Sequence, residues 1–272
     1  MKEDLIARER LCGHCKKPMK LIECDDRSDG YKWECRRQEN GKRHKTEMSI
    51  RHGSWFDNSN MMLVEILKFT YWWCRKVKQE NICHEMSIAS NTAVDWDSFC
   101  CETCEVTLLE RKQQIGGPGK VVQIDESKFG KRKYQRGHRV EGQWVFGGIE
   151  KGFMAAVDKQ DEATLLPIIF QNIAKGTTIV SDCWKAYINL EKYGYEHRLV
   201  NHSKEFVNTE GFHTNKIEGH WRQAKYQLPS FGVKKIAFSS HLAEFLWRYE
   251  NKGQDLFSVF LQDVRKIYGE FK

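Results

Sequence analysis

Hydrophobic and polar positions along this chain change period several times, and each change marks an element. The clearest run is Val121-Val122-Gln123-Ile124-Asp125-Glu126-Ser127-Lys128, β-branched and apolar until it reaches carboxylates, and preceded by the breakers Gly116-Gly117-Pro118-Gly119. It predicts a buried strand that carries an acid to its C-terminal end. Alternation turns Asp125 and Glu126 to opposite faces, so only one, taken as Asp125, looks into a shared site. The pattern returns at Thr178-Ile179-Val180-Ser181, a second strand with Asp182 at its tip and a helical-looking Cys183-Trp184-Lys185-Ala186-Tyr187 behind it. Between the two lie a hairpin, Gln143 to Ile149 and Phe153 to Val157, and a helix from Ala163 to Ala174 that ends at Lys175-Gly176. A short strand near His197 to Val200 follows. Thr214-Asn215-Lys216 then opens a helix with Ile217, Trp221 and Leu228 available to a core, and Glu218 projects from its first turn.

In the N-terminal half the period is helical. Asp57-Asn58-Ser59-Asn60 is rich in N-cap residues, and Leu63, Ile66, Leu67, Thr70 and Trp73 recur at helical spacing after it. A short helix from Gln79 to Ile88 and a third one starting at Ser90-Asn91-Thr92 flank a tight turn, which suggests a helix-turn-helix with Asn91 and Thr92 at the N-terminal part of the recognition helix. A plain helical spacer is the alternative, since this helix is poor in Lys and Arg and carries Asp95 and Asp97. Cys100, Cys101 and Cys104 on it read as packed thiols. Beyond Phe231 the series Leu242, Phe245, Leu246, Tyr249 and Leu256, Phe260, Val264, Ile267 describes two further helices.

Charge and cysteines add to this picture. The chain has Lys+Arg 44 against Asp+Glu 37, a formal +7 that favours a polyanionic partner. No apolar window is long enough for a membrane span and the N-terminus lacks a signal-peptide pattern, so the expectation is an intracellular protein with no membrane partner. Its ten cysteines then read as thiols or metal ligands rather than disulfides. Cys12-Gly13-His14-Cys15 is a Cys-x-x-Cys knuckle with Cys35 and His44 at ribbon-like distance, and we take Cys12, Cys15, Cys35 and His44 as ligands of one structural zinc. Unpaired thiols in a small basic β-module are the alternative. Beyond Asp125, Lys128, Lys131, Arg132, Lys133, Arg136 and Arg139 form a cluster suited to a DNA backbone, or a solvated basic hairpin. Arg222 and Lys225 follow Glu218 on one helix and are further phosphate-contact candidates.

Two strand-tip aspartates and a helical glutamate make an open, all-oxygen site suited to Mg²⁺ or Mn²⁺, two ions of which support phosphoryl transfer. Acids also commonly follow strands as turn and cap residues. The segments IDESKFGKRKY, GTTIVSDCWKAY, VNHS and HTNKIEGHW, in this order, resemble the catalytic signature of the Merlin superfamily of DDE transposases and its bacterial insertion-sequence relatives. That resemblance implies a catalytic, metal-binding triad of Asp125, Asp182 and Glu218 on a ribonuclease H-like fold, an N-terminal zinc-ribbon-like region, and a homodimer. The element order fits that fold without the resemblance, because a right-handed crossover sets the two Asp-bearing strands side by side. His202, in VNHS, is an accessory candidate.

The sequence therefore predicts an α/β protein in four parts: a zinc-ribbon-like DNA-binding module over 1–56, a helix-turn-helix-like domain over 57–118, a mixed-sheet catalytic domain over 119–235, and C-terminal helices over 236–272. The function expected is cut-and-paste transposition: binding of double-stranded DNA at terminal inverted repeats, cleavage at the transposon ends, and joining of the 3′-hydroxyl to target DNA. The compartment follows the substrate, a nucleus if the host is eukaryotic and otherwise the cytoplasm or nucleoid. The rivals are a domesticated DNA-binding protein that keeps the fold without transposing, and a ribonuclease H-like nuclease.

Overall fold

A computed structural model describes residues 4–39, 41–130, 142–150, 152–182, 187, 189–200, 213–228 and 235–269. The chain divides into two compact units, 1–107 with 253–272, and 108–252. Among the described residues no helix is long and apolar enough to cross a membrane.

The first unit opens with an antiparallel meander of β1 (Lys20–Glu23), β2 (Tyr31–Glu39) and β3 (Lys42–Ser49). Trp33 and Cys35 are buried on one face of β2, and Glu34 between them is buried on the other, ion-paired with Arg36 at 2.8 Å and Lys45 at 3.6 Å. Just past β3, Arg51 is buried and pairs with Asp29 through two nitrogens, while its third nitrogen donates to the Ser59 carbonyl at 2.8 Å. Asp29 Oδ1 also accepts from the Leu63 N–H at 3.2 Å, so this ion pair ties the meander to the start of the helices. Three helices follow, α1 (Leu63–Cys74), α2 (Gln79–Met86) and α3 (Ser90–Glu110), with Ser87 in the left-handed region at φ 52° making the tight turn between the last two. Leu63, Ile66, Phe69, Thr70 and Trp73 are the buried stripe of α1. The Trp73 indole donates to Asp97 of α3 at 2.9 Å, and the ring of Trp55 sits 5.2 Å from that of Trp96. In the same unit helix α7 (Leu256–Tyr268) sets the ring centre of Phe260 5.3 Å from that of Trp73.

The second unit is a mixed five-stranded sheet flanked by helices. Its antiparallel part is β5 (Val121–Phe129), β6 (Gln143–Ile149) and β7 (Phe153–Val157). Helix α4 (Glu162–Asn172), capped by Asp161 on the Thr164 N–H at 2.9 Å, leads to β9 (Thr178–Ser181), which lies parallel to β5 on its other edge. β10 (Glu196–Leu199) then adds parallel to β9, giving the order β10-β9-β5-β6-β7. A minor parallel pair, β4 (Ile115–Gly116) with β8 (Ile173–Ala174), joins the ends of the connections. Alternation gives the sheet two apolar faces. Val122, Ile124, Phe146 and Ile179 share one with Leu165 and Ile169 of α4, and Phe129, Val145 and Ile149 share the other with α5 (Asn215–Gln227) and α6 (Lys235–Glu250).

Candidate functional site

β5 is the strand against which the site is assembled. Val121, Val122 and Gln123 pair with Thr178, Ile179 and Val180 in parallel register. Carried two steps on, the same register sets Asp182 level with Asp125, and paired residues share a face. That face is covered by α5, which grips β5 through three polar contacts. Gln123 Oε1 accepts from the Ile217 N–H at 3.1 Å, Asp125 Oδ2 accepts from the Trp221 indole at 3.0 Å, and Ser127 Oγ accepts from Lys225 at 2.6 Å. Alternate strand residues are about 6.6 Å apart and helix residues four apart about 6 Å, so the two ladders stay in step. Glu218 stands one residue beyond Ile217 and accepts from the Thr214 hydroxyl at 3.0 Å.

The electrostatics register this arrangement. Burial pushes the Asp125 carboxyl up to about 6; hydrogen bonds from the Glu126 backbone and the Trp221 indole oppose the rise, and the charges of Asp182 and Glu218 add to it. An all-oxygen donor set with this self-repulsion fits a hard divalent cation, whose charge would relieve it. Glu126 points to the opposite face, yet it is not idle. Burial, reinforced by the charges of Asp125 and Asp182, pushes it up to about 7, and the Tyr187 hydroxyl donates to its Oε1.

Of the other residues read as DNA contacts, Arg222 is exposed on α5, Asn91 is exposed and Thr92 half-buried in the first turn of α3. Lys225 is bonded to Ser127 with its ammonium 5.4 Å from the Phe129 ring centre, and Lys128 lies 5.5 Å over Trp144. Lys131, Arg132, Lys133, Arg136, Arg139 and His202 lie outside the described residues.

The meander brings a second group together. The ligand atoms of Cys12, Cys15, Cys35 and His44 all lie within 4.8 Å of one another. Cys15 and Cys35 sulfurs are 3.7 Å apart, and His44 Nε2 is 3.4 Å from Cys35 and 3.7 Å from Cys12. A tetrahedron with metal–sulfur bonds of about 2.3 Å has edges of roughly 3.8 Å, so the separations suit one zinc. Two features of the chain make the group. The knuckle closes on itself, with the Cys12 N–H donating to the Lys17 carbonyl and the Lys16 N–H returning to the Cys12 carbonyl, both at 2.8 Å. In the β2–β3 register Cys35 faces Thr46 and Arg37 faces His44, which makes Cys35 and His44 diagonal neighbours. Backbone N–H groups of the knuckle, first that of Cys15, hold the Cys12 thiol down to about 5, while burial and the neighbouring thiols push Cys35 up to about 11. Cys24 stays outside the group, in the turn after β1, and His14 is exposed with its ring 4.6 Å from that of His44.

Three positions at the first site escaped the sequence reading: Gln123, Gly147 and Tyr187. Gln123 could have been noticed as a lone amide inside an apolar strand. Gly147 pairs with Asp125 across β5–β6, and a Cβ there would stand 2.7 Å from Trp221 Cη2 and 2.9 Å from the Phe153 carbonyl oxygen. No local sequence signal separates it from Gly148.

A chain from the cryo-EM structure of the simian T-cell lymphotropic virus intasome in complex with PP2A regulatory subunit B56 gamma is a distant likeness, with a TM-score of 0.28, 12% identity, and 67% of each chain covered. The crystal structure of the Mos1 strand transfer complex gives 0.30 and 13% identity, over 76% of this chain and 78% of that one. An uncharacterized transposase-like protein of Haemophilus influenzae is 31% identical over 102 residues, which are 37% of this chain and 82% of the relative. Residues 114–250 match the family model described as the ISXO2-like transposase domain, and they contain the whole β5–α5 assembly, so the chain belongs to the ISXO2-like transposase family.

Proposed function

We propose that this transposase is a cut-and-paste enzyme that cleaves DNA at terminal inverted repeats and joins the freed 3′-hydroxyl to target DNA at one carboxylate site. The observation that carries the reading is the shared face of Asp125 and Asp182, with Glu218 delivered to it by α5 and Asp125 responding to both charges. A three-strand antiparallel meander with parallel strands added beside its first strand supports a ribonuclease H-like catalytic domain over 119–235. Asp125, Asp182 and Glu218 would hold two Mg²⁺ or Mn²⁺ ions, which would supply activation of the attacking oxygen and stabilisation of the leaving one. The chain's own part is to aim those carboxylates: the Trp221 indole fixes one oxygen of Asp125, and Thr214 fixes one of Glu218.

Cys12, Cys15, Cys35 and His44 would hold one structural zinc in the 1–56 module, supported by the tetrahedral spacing of their ligand atoms. The helices over 57–118 would read the repeat through Asn91 and Thr92, while Lys128, Lys131, Arg132, Lys133, Arg136, Arg139, Arg222 and Lys225 would contact phosphates, with His202 accessory and a homodimer pairing two ends. The test is a Mg²⁺-dependent cleavage assay on intact and pre-cut inverted-repeat DNA. Wild type should cut the first and join the second, and Asp125→Asn should do neither; cleavage by Asp125→Asn would remove the site assignment.

A further inference from the structure

The two successive carboxyls of β5 serve opposite faces of the sheet. Asp125 faces α5, whereas Glu126 continues the Val122, Ile124 series into the apolar core shared with α4. Its cross-strand partner is Phe146, and the fully buried Tyr187 stacks over Phe146 with ring centres 6.4 Å apart. The Tyr187 hydroxyl donates to Glu126 Oε1. A carboxyl in such a place is a poor choice for packing alone, since an apolar side chain would fill it without the loss of hydration. Tyr187 lies shortly after Asp182, on the chain that leaves β9 at the buried Ser181. Tyr187 stands five residues after Asp182 in sequence, so the Glu126–Tyr187 bond and the β9–β5 pairing tie both of these positions to β5.

We infer that Glu126 is a positioning residue for the carboxylate site: through Tyr187 it anchors the chain five residues after Asp182, as Trp221 on the other face fixes the helix that presents Glu218. This rests on the reading of Asp125, Asp182 and Glu218 as metal ligands. Neighbouring carboxyls on one strand thereby hold both of the other acid-bearing elements, one on each side.

The test is Mn²⁺ binding by the full chain without DNA, followed by electron paramagnetic resonance, for wild type, Glu126→Ala, Glu126→Gln and Tyr187→Phe. Loss of a group that orients a metal ligand typically weakens binding about 10- to 100-fold. Glu126→Ala and Tyr187→Phe should each fall by about tenfold, and the double variant no further, because they break one link. Glu126→Gln keeps an acceptor for the hydroxyl and should stay within about twofold. Unchanged binding by Glu126→Ala or Tyr187→Phe overturns the inference. So does a Glu126→Gln variant as weak as Glu126→Ala, which would make the carboxylate itself a ligand. Should Glu126→Ala not fold, as judged by melting without added Mn²⁺, Tyr187→Phe and Glu126→Gln decide alone. A wild type that binds no Mn²⁺ removes the metal-site reading, a different result from variants that bind as wild type does.

Discussion

The indole N–H of Trp221 donates to Asp125 Oδ2 at 3.0 Å, across a gap that Gly147 keeps open by having no side chain. Asp125 is thus held by a helix residue one turn on from Glu218, so two acids far apart in sequence are referred to one another by a single bond. Trp221→Phe deletes the donor and also trims a buried ring, so it should cost some stability as well. A hydrogen bond to a charged group is worth roughly 1.5–3 kcal/mol, so transition-state stabilisation should drop by about that much, read as a tenfold or greater loss in cleavage rate with DNA affinity unchanged. Gly147→Ala should lower the melting temperature as well, since overpacking costs about 1–3 kcal/mol.

Replacing Asp125 or Asp182 by Asn, or Glu218 by Gln, should abolish both strand cleavage and strand joining. Binding to inverted-repeat DNA should survive, because phosphate affinity comes mostly from Lys and Arg. Gel-shift and joining assays on the same preparations separate the two effects. A variant that cuts but does not join would show that the two steps use different ligands.

Acidity gives an independent handle. Asp125 is pushed up to about 6 in the fold from an ordinary 3.8, so between those values the folded chain binds more protons than the unfolded one. Stability without divalent ions therefore falls as pH rises from about 4 to about 6, and the deficit persists above that window. Glu126, pushed up to about 7 from 4.5, acts in the same sense. Asp125→Asn removes the charge, and near pH 7 without added divalent ions it should be more stable than wild type by on the order of 2 kcal/mol. Near pH 4 the two should melt together; a constant offset at both pH values would mean that packing, not ionisation, separates them.

For the cysteine group, Cys12→Ser or Cys35→Ser should release one zinc per chain and unfold the meander, measured by metal content and by amide exchange over 20–49. Chelation of wild-type protein should have the same local effect. A meander that stays protected without metal would leave the four residues as packed thiols and an imidazole.

Legibility in the sequence followed range. The strand from Val121 and the helices around Ile217 and Leu256 are written in local periodicity, and the structure has them as β5, α5 and α7. The Cys-x-x-Cys knuckle advertises itself because its two members are close in sequence. What local patterns could not give is pairing. Arg51 has no local signal of a partner beside the aromatic pair Trp55-Phe56, but it is buried on Asp29, 22 residues away. Glu126 reads as an inert alternate of Asp125, yet its partner is Tyr187, 61 residues on. Helix α7, read as part of a C-terminal pair with α6, belongs to the unit of the N-terminal residues. Each miss is a contact between distant segments, which periodicity does not encode.

The matched steps of β5 and α5 bear on how such chains change length. Because Glu218 is set by Ile217, Trp221 and Lys225 seating on Gln123, Asp125 and Ser127, its place does not depend on how many residues separate it from Asp182. One residue added inside α5 between Glu218 and Trp221 should rotate the glutamate by about 100° relative to the Trp221–Asp125 bond and put the acid out of reach. The interval from Glu218 to Trp221 is thus the length that this grip holds constant.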